Sequence, residues 1–316
     1  MKYLLKAFIY ILLFLATIAC GNKKEGDNKI TVFHAGSLSV PFKKIAEEFK
    51  KENPGFEIFA ESSGSLDAAR KITDLNKECD ILAVADFLVI DKLMIPKFAS
   101  WNFVFASNEM IIAYTDKSNY ASEINSKNWQ NILLNENVII GRSEPNADPC
   151  GYRAVFVFQL AEKFLKSDNL ANKLIFMQNT VIRPKEVDLV ALLETGNIDY
   201  LMIYKSVALQ HNLKFVELPD EINLSNPEYE TLYNTVSMKV NGAEPGQETE
   251  IFGSSILYSF TIPLNSKNPE AALKFALFLT NPDKGGKILS EMGMGIVNYC
   301  SKSYRDKLPK ELVELL

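Results

Sequence analysis

The sequence predicts an α/β protein of two lobes, one inserted into the other. Three observations carry this reading. Strand and helix periods alternate from Ile30 onward. The early strands are short and apolar, as in Asp80–Ala85 (DILAVA), which suits a parallel strand buried on both faces. The element lengths change after Thr115, and a chain of 316 residues is long enough for about two domains.

The elements follow in order. Ile30–Ala35 reads as a strand, and Val40–Lys51 carries apolar residues at helical spacing. Asn53-Pro54-Gly55 stops that helix. Phe56–Ala60 is the next strand, Ser65–Leu75 a helix, Asp80–Ala85 a strand and Phe87–Met94 a helix. Such a βαβαβ run favours a parallel sheet flanked by helices. Glu109–Thr115 and Val138–Gly141 are further strands, and Pro149–Leu165 is a long helix. A helix at Glu186–Glu194, a strand at Asp199–Tyr204, a helix at Lys205–His211 and a strand at Lys214–Leu218 come next. Ile256–Pro263 is a strand and Pro269–Leu279 an amphipathic helix. We assign 30–115 plus 255–316 to lobe I and 116–254 to lobe II. The chain then crosses between lobes near Tyr114 and Tyr258, and the cleft between them is the default ligand site.

Composition excludes several classes. An apolar share of 47% with a net charge of only −5 does not describe a disordered chain. Four cysteines are too few for a disulfide scaffold. An acidic balance without basic runs argues against nucleic acid as a partner. On charge alone, an anionic ligand would be excluded too.

The N-terminus reads as an address. Lys2 and Lys6 precede an uncharged apolar run of 13 residues, Ala7–Ala19, which is short for a bilayer span. Thr17-Ile18-Ala19-Cys20-Gly21 resembles the lipobox of bacterial lipoproteins, with Thr17 where Leu is usual. Residues 1–19 are then a signal peptide, Cys20 is the lipidated first residue, and 20–29 is a polar tether. The mature chain is more acidic still, and faces the periplasm or the extracellular side on a lipid anchor. It keeps Cys79, Cys150 and Cys300, an odd number whose pairing sequence does not decide.

Four helix starts could carry chemistry. Val32–Leu38 and Phe59–Leu66 both run from strand through Gly-Ser into helix, at Gly36-Ser37 and Gly64-Ser65. Free N–H groups, the positive helix end and a hydroxyl converge there, which is how a neutral surface holds an anion. Ser37 and Ser65 also fit as ordinary N-caps. Asp148-Pro149 is a strong helix start, and Glu186 stands in the first turn of the next helix. Each acid also has a capping role available. Enzyme readings are poor. The chain has no G-x-S-x-G elbow, no P-loop and no G-x-G-x-x-G. Its two histidines, His34 and His211, lack partners at zinc spacing. His34 precedes Ser37 and could act as a base, but reads better as a core histidine.

These residues together resemble the tungstate/molybdate-binding proteins of ABC transporters, in the tungstate-binding branch first described in archaea. The resemblance rests on His34-Ala35-Gly36-Ser37-Leu38, Gly64-Ser65, Asp148-Pro149-Cys150-Gly151-Tyr152-Arg153, Lys185-Glu186, Tyr204-Lys205-Ser206-Val207-Ala208 and Leu218-Pro219-Asp220-Glu221-Ile222-Asn223-Leu224. It implies an α/β, two-lobed class II periplasmic-binding-protein fold, its lobes joined by two crossing strands. It implies that Ser37 and Ser65 hydroxyls, backbone N–H groups near Cys150 and Val187, and the Tyr204 hydroxyl bind the oxyanion. It further implies two carboxylate ligands to the metal, Asp148 and Glu186, with Asp188 as the fallback. The ligand is then tungstate or molybdate, with no other cofactor and no catalysis. The partners are an ABC permease and, through the lipid, a membrane; the chain is a monomer. Carboxylate oxygen suits a hard, high-valent metal, whereas an ionised carboxylate repels sulfate. A phosphate or sulfate receptor is the alternative of the same fold, and a hydrolase using His34 and Ser37 the alternative of another class.

Overall fold

The computed structural model describes residues 28–242 and 246–316. The expected signal peptide, Cys20 and nearly all of the tether lie outside these residues.

Two sheets organise the chain. The first has six strands in the order β13-β4-β12-β3-β1-β2. Here β1 is Lys29–Ala35, β2 Glu57–Ser63, β3 Ile81–Val84, β4 Phe103–Ser107, β12 Leu257–Thr261 and β13 Gly295–Tyr299. β1 pairs parallel with β2 and β3, while β12 runs antiparallel to both β3 and β4. The expected parallel run is therefore one half of a mixed sheet. β3 is buried along its length, as its unbroken apolar sequence demands. β2 is one of the two edge strands, and its Glu57 and Glu61 discourage pairing with another chain.

The second sheet has five strands in the order β7-β6-β8-β5-β9. They are β5 Met110–Tyr114, β6 Ile140–Ser143, β7 Thr180–Arg183, β8 Tyr200–Tyr204 and β9 Lys214–Glu217. β5 departs from its expected place in the first lobe, because it pairs antiparallel with β8 and β9. β4, which the sequence reading does not pick out, takes the neighbouring place in the first sheet. Phe103–Tyr114 is apolar apart from its middle, where Ser107-Asn108-Glu109 interrupts it. Composition is alike on both sides, so only strand pairing shows that the sheet changes at Asn108. The return passage runs beside it, since the Asn108 N–H donates to the Ile256 carbonyl at 3.2 Å.

Helices close the lobes. Helix Ser39–Glu52 sets Phe42, Ile45 and Phe49 on the first sheet. The Phe49 ring meets Phe275 at 5.2 Å and Phe278 at 5.5 Å, both from helix Pro269–Thr280. Edge-on aromatic packing thus fastens the C-terminal segment to the N-terminal one. In the second lobe, helix Pro149–Leu165 starts on the Asp148 cap and Pro149 and stops at Lys166 in the left-handed region (φ 50°). The hairpin of β10 (Ser237–Asn241) and β11 (Glu248–Phe252) lies over this helix, with the Gln159 amide donating to the Ser237 carbonyl at 3.1 Å. The hairpin also reaches the first lobe, where Lys92 donates to the Glu250 carbonyl at 3.1 Å. Among the described residues, no helix is long and apolar enough to cross a membrane.

Candidate functional site

Strands β1, β2 and β3 of the first sheet, and β6, β7 and β8 of the second, end where the lobes face each other. Ligands bind at such carboxyl ends in open α/β sheets, since helix starts gather there. After β1, Gly36–Leu38 forms a 3₁₀ turn that carries Ser37. After β2, Gly64 leads into helix Ser65–Thr73.

Neither serine acts as a cap. Ala35 and Gly64 hold the N-cap positions, and no side-chain cap bond forms at either. The Ser65 hydroxyl oxygen instead accepts the Ala85 N–H at 3.0 Å, and the Ser37 oxygen accepts the Tyr258 hydroxyl at 3.0 Å. Both serines are buried. A hydroxyl that accepts one bond still has its own proton to donate.

The second lobe contributes acids. Asp148 accepts the Cys150 N–H at 3.2 Å on one carboxylate oxygen and the Glu186 N–H at 3.1 Å on the other. It therefore ties two helix starts together. The Cys150 N–H, expected to face the ligand, is turned onto Asp148. Glu186 is 0% exposed, and neither of its carboxyl oxygens has a hydrogen-bond partner among the described residues. Burial, then the nearby charge of Asp148, pushes the Glu186 carboxyl well above the usual carboxylate range. Asp188 is not part of this cluster; it pairs with Lys185 at 3.3 Å with its side chain 39% exposed. Glu186 is the acid that the fold brings to Asp148.

Two glycines let the lobes meet. A Cβ on Gly36 would sit 3.0 Å from the Glu186 Oε2 and 3.1 Å from a Val187 methyl. A Cβ on Gly64 would sit 2.1 Å from the Ala147 carbonyl oxygen and 3.2 Å from the Asp148 Cβ. Val187 thus meets the first lobe through its side chain. Tyr204, fully buried, receives a hydrogen bond from Arg153 Nη1 at 2.9 Å, and its ring lies 5.8 Å from that of Tyr258. Burial pushes the Tyr204 hydroxyl up, so it stays protonated and able to donate.

Sequence reasoning missed Arg153, Asp86 and Tyr258. Arg153 stands in the Asp-Pro-Cys-Gly-Tyr-Arg run, so a signal existed. Tyr258 is hidden in an apolar strand and gives none. His34 is buried, with Nδ1 2.8 Å from the Ala35 carbonyl and its ring 5.4 Å from Phe42. Burial lowers its pKa, as for a neutral core histidine. Cys79, Cys150 and Cys300 are free and buried. Among the described residues, no group of three or more His, Cys, Asp or Glu side chains is arranged to hold a metal ion. Asp148 and Glu186 form a pair, which leaves most of any metal's shell to other oxygens.

The description "Bacterial extracellular solute-binding protein" matches residues 30–295. The chain belongs to that family. An uncharacterized solute-binding protein of Petrotoga mobilis is 45% identical over 316 residues, covering 100% of this chain and 97% of its relative. The molybdate/tungstate-binding protein WtpA of Pyrococcus abyssi is 41% identical over 310 residues, covering 89% of each chain. Among solved structures, the periplasmic molybdate-binding protein of Azotobacter vinelandii superposes with a TM-score of 0.63. That match is 15% identical and covers 84% of this chain and 98% of the other. The likeness bears out the two-lobed periplasmic-binding-protein fold.

Two expectations follow for this solute-binding protein. Gly64 has φ −58° and ψ 147°, which alanine adopts freely. Gly64→Ala should therefore leave each lobe folded but hold the lobes apart, because a backbone carbonyl blocks the new methyl. Small-angle scattering should show a larger radius of gyration with unchanged circular dichroism; an unchanged radius would contradict this contact. The second concerns pH. A buried acid with a raised pKa favours the closed, ligand-free form while protonated, and this contribution is lost as pH rises through the raised pKa. Scattering from the ligand-free protein should report opening with rising pH, and Glu186→Gln should flatten the response. Equal pH profiles for the two proteins would remove Glu186 as the cause.

Proposed function

We propose that this chain captures tungstate or molybdate outside the cytoplasm and delivers it to an ABC permease, without catalysing a reaction. The observation that carries the reading is the Glu186 carboxyl, buried against Asp148 with both oxygens unpartnered. A site built for sulfate would gain nothing from two acids, since sulfur in sulfate does not add carboxylate ligands. Tungsten and molybdenum are hard, high-valent centres that accept carboxylate oxygen. The pair therefore favours a metal oxyanion and repels its common rival. Ser37, Ser65 and Tyr204 supply hydroxyl donors, and helix starts at both lobes supply positive dipole ends. The relative in Pyrococcus abyssi, named for molybdate and tungstate, supports the same assignment.

Hydrogen phosphate is the second reading, because its proton could be donated to an ionised acid. Titration calorimetry on the mature protein separates the two. Sodium tungstate and molybdate should bind at micromolar protein or below, while phosphate and sulfate give no comparable heat. Asp148→Ala and Glu186→Ala should each weaken tungstate by about tenfold or more, at least the loss seen when residues that merely orient metal ligands are removed. Equal losses for tungstate and for a simple tetrahedral anion would leave only a helix-terminus site. Heat with phosphate but none with tungstate would end the metal-oxyanion reading.

The address belongs to the same proposal. Cys20 carries the lipid, and residues 20–29 tether the lobes to the membrane as a monomer. Cys20→Ala should abolish acyl labelling and move the protein from the membrane fraction to the soluble one. Retention of the label would place the modification elsewhere.

A further inference from the structure

Arg153 is a buried guanidinium at the meeting of the lobes, and the anion reading alone gives it an obvious task as a ligand. Its contacts point elsewhere. It lies on helix Pro149–Leu165 of the second lobe and is 1% exposed. Its Nη1 donates to the Ala85 carbonyl at 2.6 Å and to the Tyr204 hydroxyl at 2.9 Å. Its Nη2 lies 3.3 Å from Asp86 Oδ2, an ion-pair contact in which this nitrogen makes no hydrogen bond among the described residues. Ala85 and Asp86 follow β3, so they belong to the first lobe. The neighbouring Tyr152 crosses the same boundary, its hydroxyl donating to Asp86 Oδ2 at 2.6 Å. The other Asp86 oxygen accepts the Leu88 N–H at 2.9 Å, which fixes the carboxylate in place. Asp86 and Tyr152 are both 3% exposed.

These contacts give Arg153 a fork that spans the cleft. Ala85 accepts Arg153 on its carbonyl and donates its N–H to Ser65. The same guanidinium therefore adjoins the peptide that positions one hydroxyl and touches Tyr204, another. Its charge is met by Asp86. Rim contacts between the lobes, such as Arg70 Nη2 on the Asn241 carbonyl at 3.0 Å, are exposed and exchange with water. The Arg153 cluster is buried, so parting the lobes breaks all of its first-lobe bonds together.

We propose that Arg153, Asp86 and Tyr152 form a latch that keeps the cleft shut over the anion, and that Arg153 positions Tyr204 without ligating the anion itself. This rests on the oxyanion reading above for its ligand, but not for its geometry. The latch predicts a sign. Asp86→Asn leaves Arg153 buried in the closed form without its counter-charge, so the closed form is disfavoured. Were Arg153 an anion ligand, the same change would add net positive charge to the site and tighten binding. Arg153→Lys keeps the charge but cannot serve Ala85, Tyr204 and Asp86 at once, because an ammonium lacks the planar fork.

The test uses the mature protein and sodium tungstate in stopped-flow, with scattering alongside. Asp86→Asn and Arg153→Lys should each raise the off rate about tenfold or more and change the on rate by less than about threefold. Their radius of gyration should exceed that of the wild type at equal tungstate occupancy. Tyr152→Phe, which keeps the ion pair and removes one hydroxyl, should move both readouts in the same direction by less. It also serves if either charge variant fails to fold. Tighter binding by Asp86→Asn would overturn the latch and make Arg153 a ligand, and an unchanged off rate in both charge variants would overturn the latch outright. If the wild type binds neither tungstate nor molybdate, the ligand assignment fails. The latch is then read from ligand-free scattering, where identical radii for wild type and all three variants would overturn it.

Discussion

Asp148 is the point on which the second lobe's half of the site depends. Its carboxylate takes one N–H from its own helix start and one from Glu186, 38 residues further on. Helix starts normally leave such donors to water or to a ligand. Here they are spent on holding two turns in register. The result is that Glu186 is fixed by its backbone while its carboxyl stays unpaired. The first lobe then approaches through two positions without a side chain, Gly36 beside Glu186 and Gly64 beside Asp148. A larger residue at either position would meet the acid pair or the turn that carries it.

On the proposed reading, this arrangement inverts the usual logic of an anion site. Positive dipole ends and hydroxyl donors are present, yet the centre holds two acids. The guanidinium that borders it donates to the Ala85 carbonyl and the Tyr204 hydroxyl and faces Asp86 as an ion pair. Inside a water-poor cleft each of these charges acts more strongly than it would in solvent. A simple dianion therefore meets donors at the walls and repulsion at the centre. An anion whose central atom accepts more oxygen meets donors at both. On the proposed reading, discrimination lies in what the central atom can do, not in the outline of the anion.

Much of this was legible in the sequence, for reasons that are local. Ser37, Ser65 and Asp148 stand at helix starts marked by Gly, Ser, Asp and Pro, and such signals need only a few neighbouring residues. The choice between Glu186 and Asp188 was not legible. Both acids sit on one 3₁₀ turn, Glu186–Leu189. At about three residues per turn, positions two apart point about 240° apart, so one is buried and the other meets Lys185. Only the path of the chain says which. The partners that arrive from far away were also hidden. Tyr258 lies 221 residues from the Ser37 that it contacts, and Ala85 lies 68 from Arg153. The sheet change at Asn108 was missed for a related reason. Periodicity identifies a strand, but pairing decides its sheet, and pairing is non-local.

Net charge is the least informative property of this molecule for its ligand. The whole chain carries −5, which on its face opposes an anion. Surface charge governs solubility and long-range approach, while the site is governed by what lies within a few ångströms after water has left. Closing the lobes brings Gly36 and Gly64 over Asp148 and Glu186 and shuts the pair off from water, and two ionised acids in that position would resist closure. Protonating Glu186 removes the resistance, and so would a metal centre that shares both carboxylates. The same pair can therefore penalise closure on the wrong anion and permit it on the right one. Selectivity and lobe closure would then be one property, seated in two side chains that a count of charges scores only as acidic.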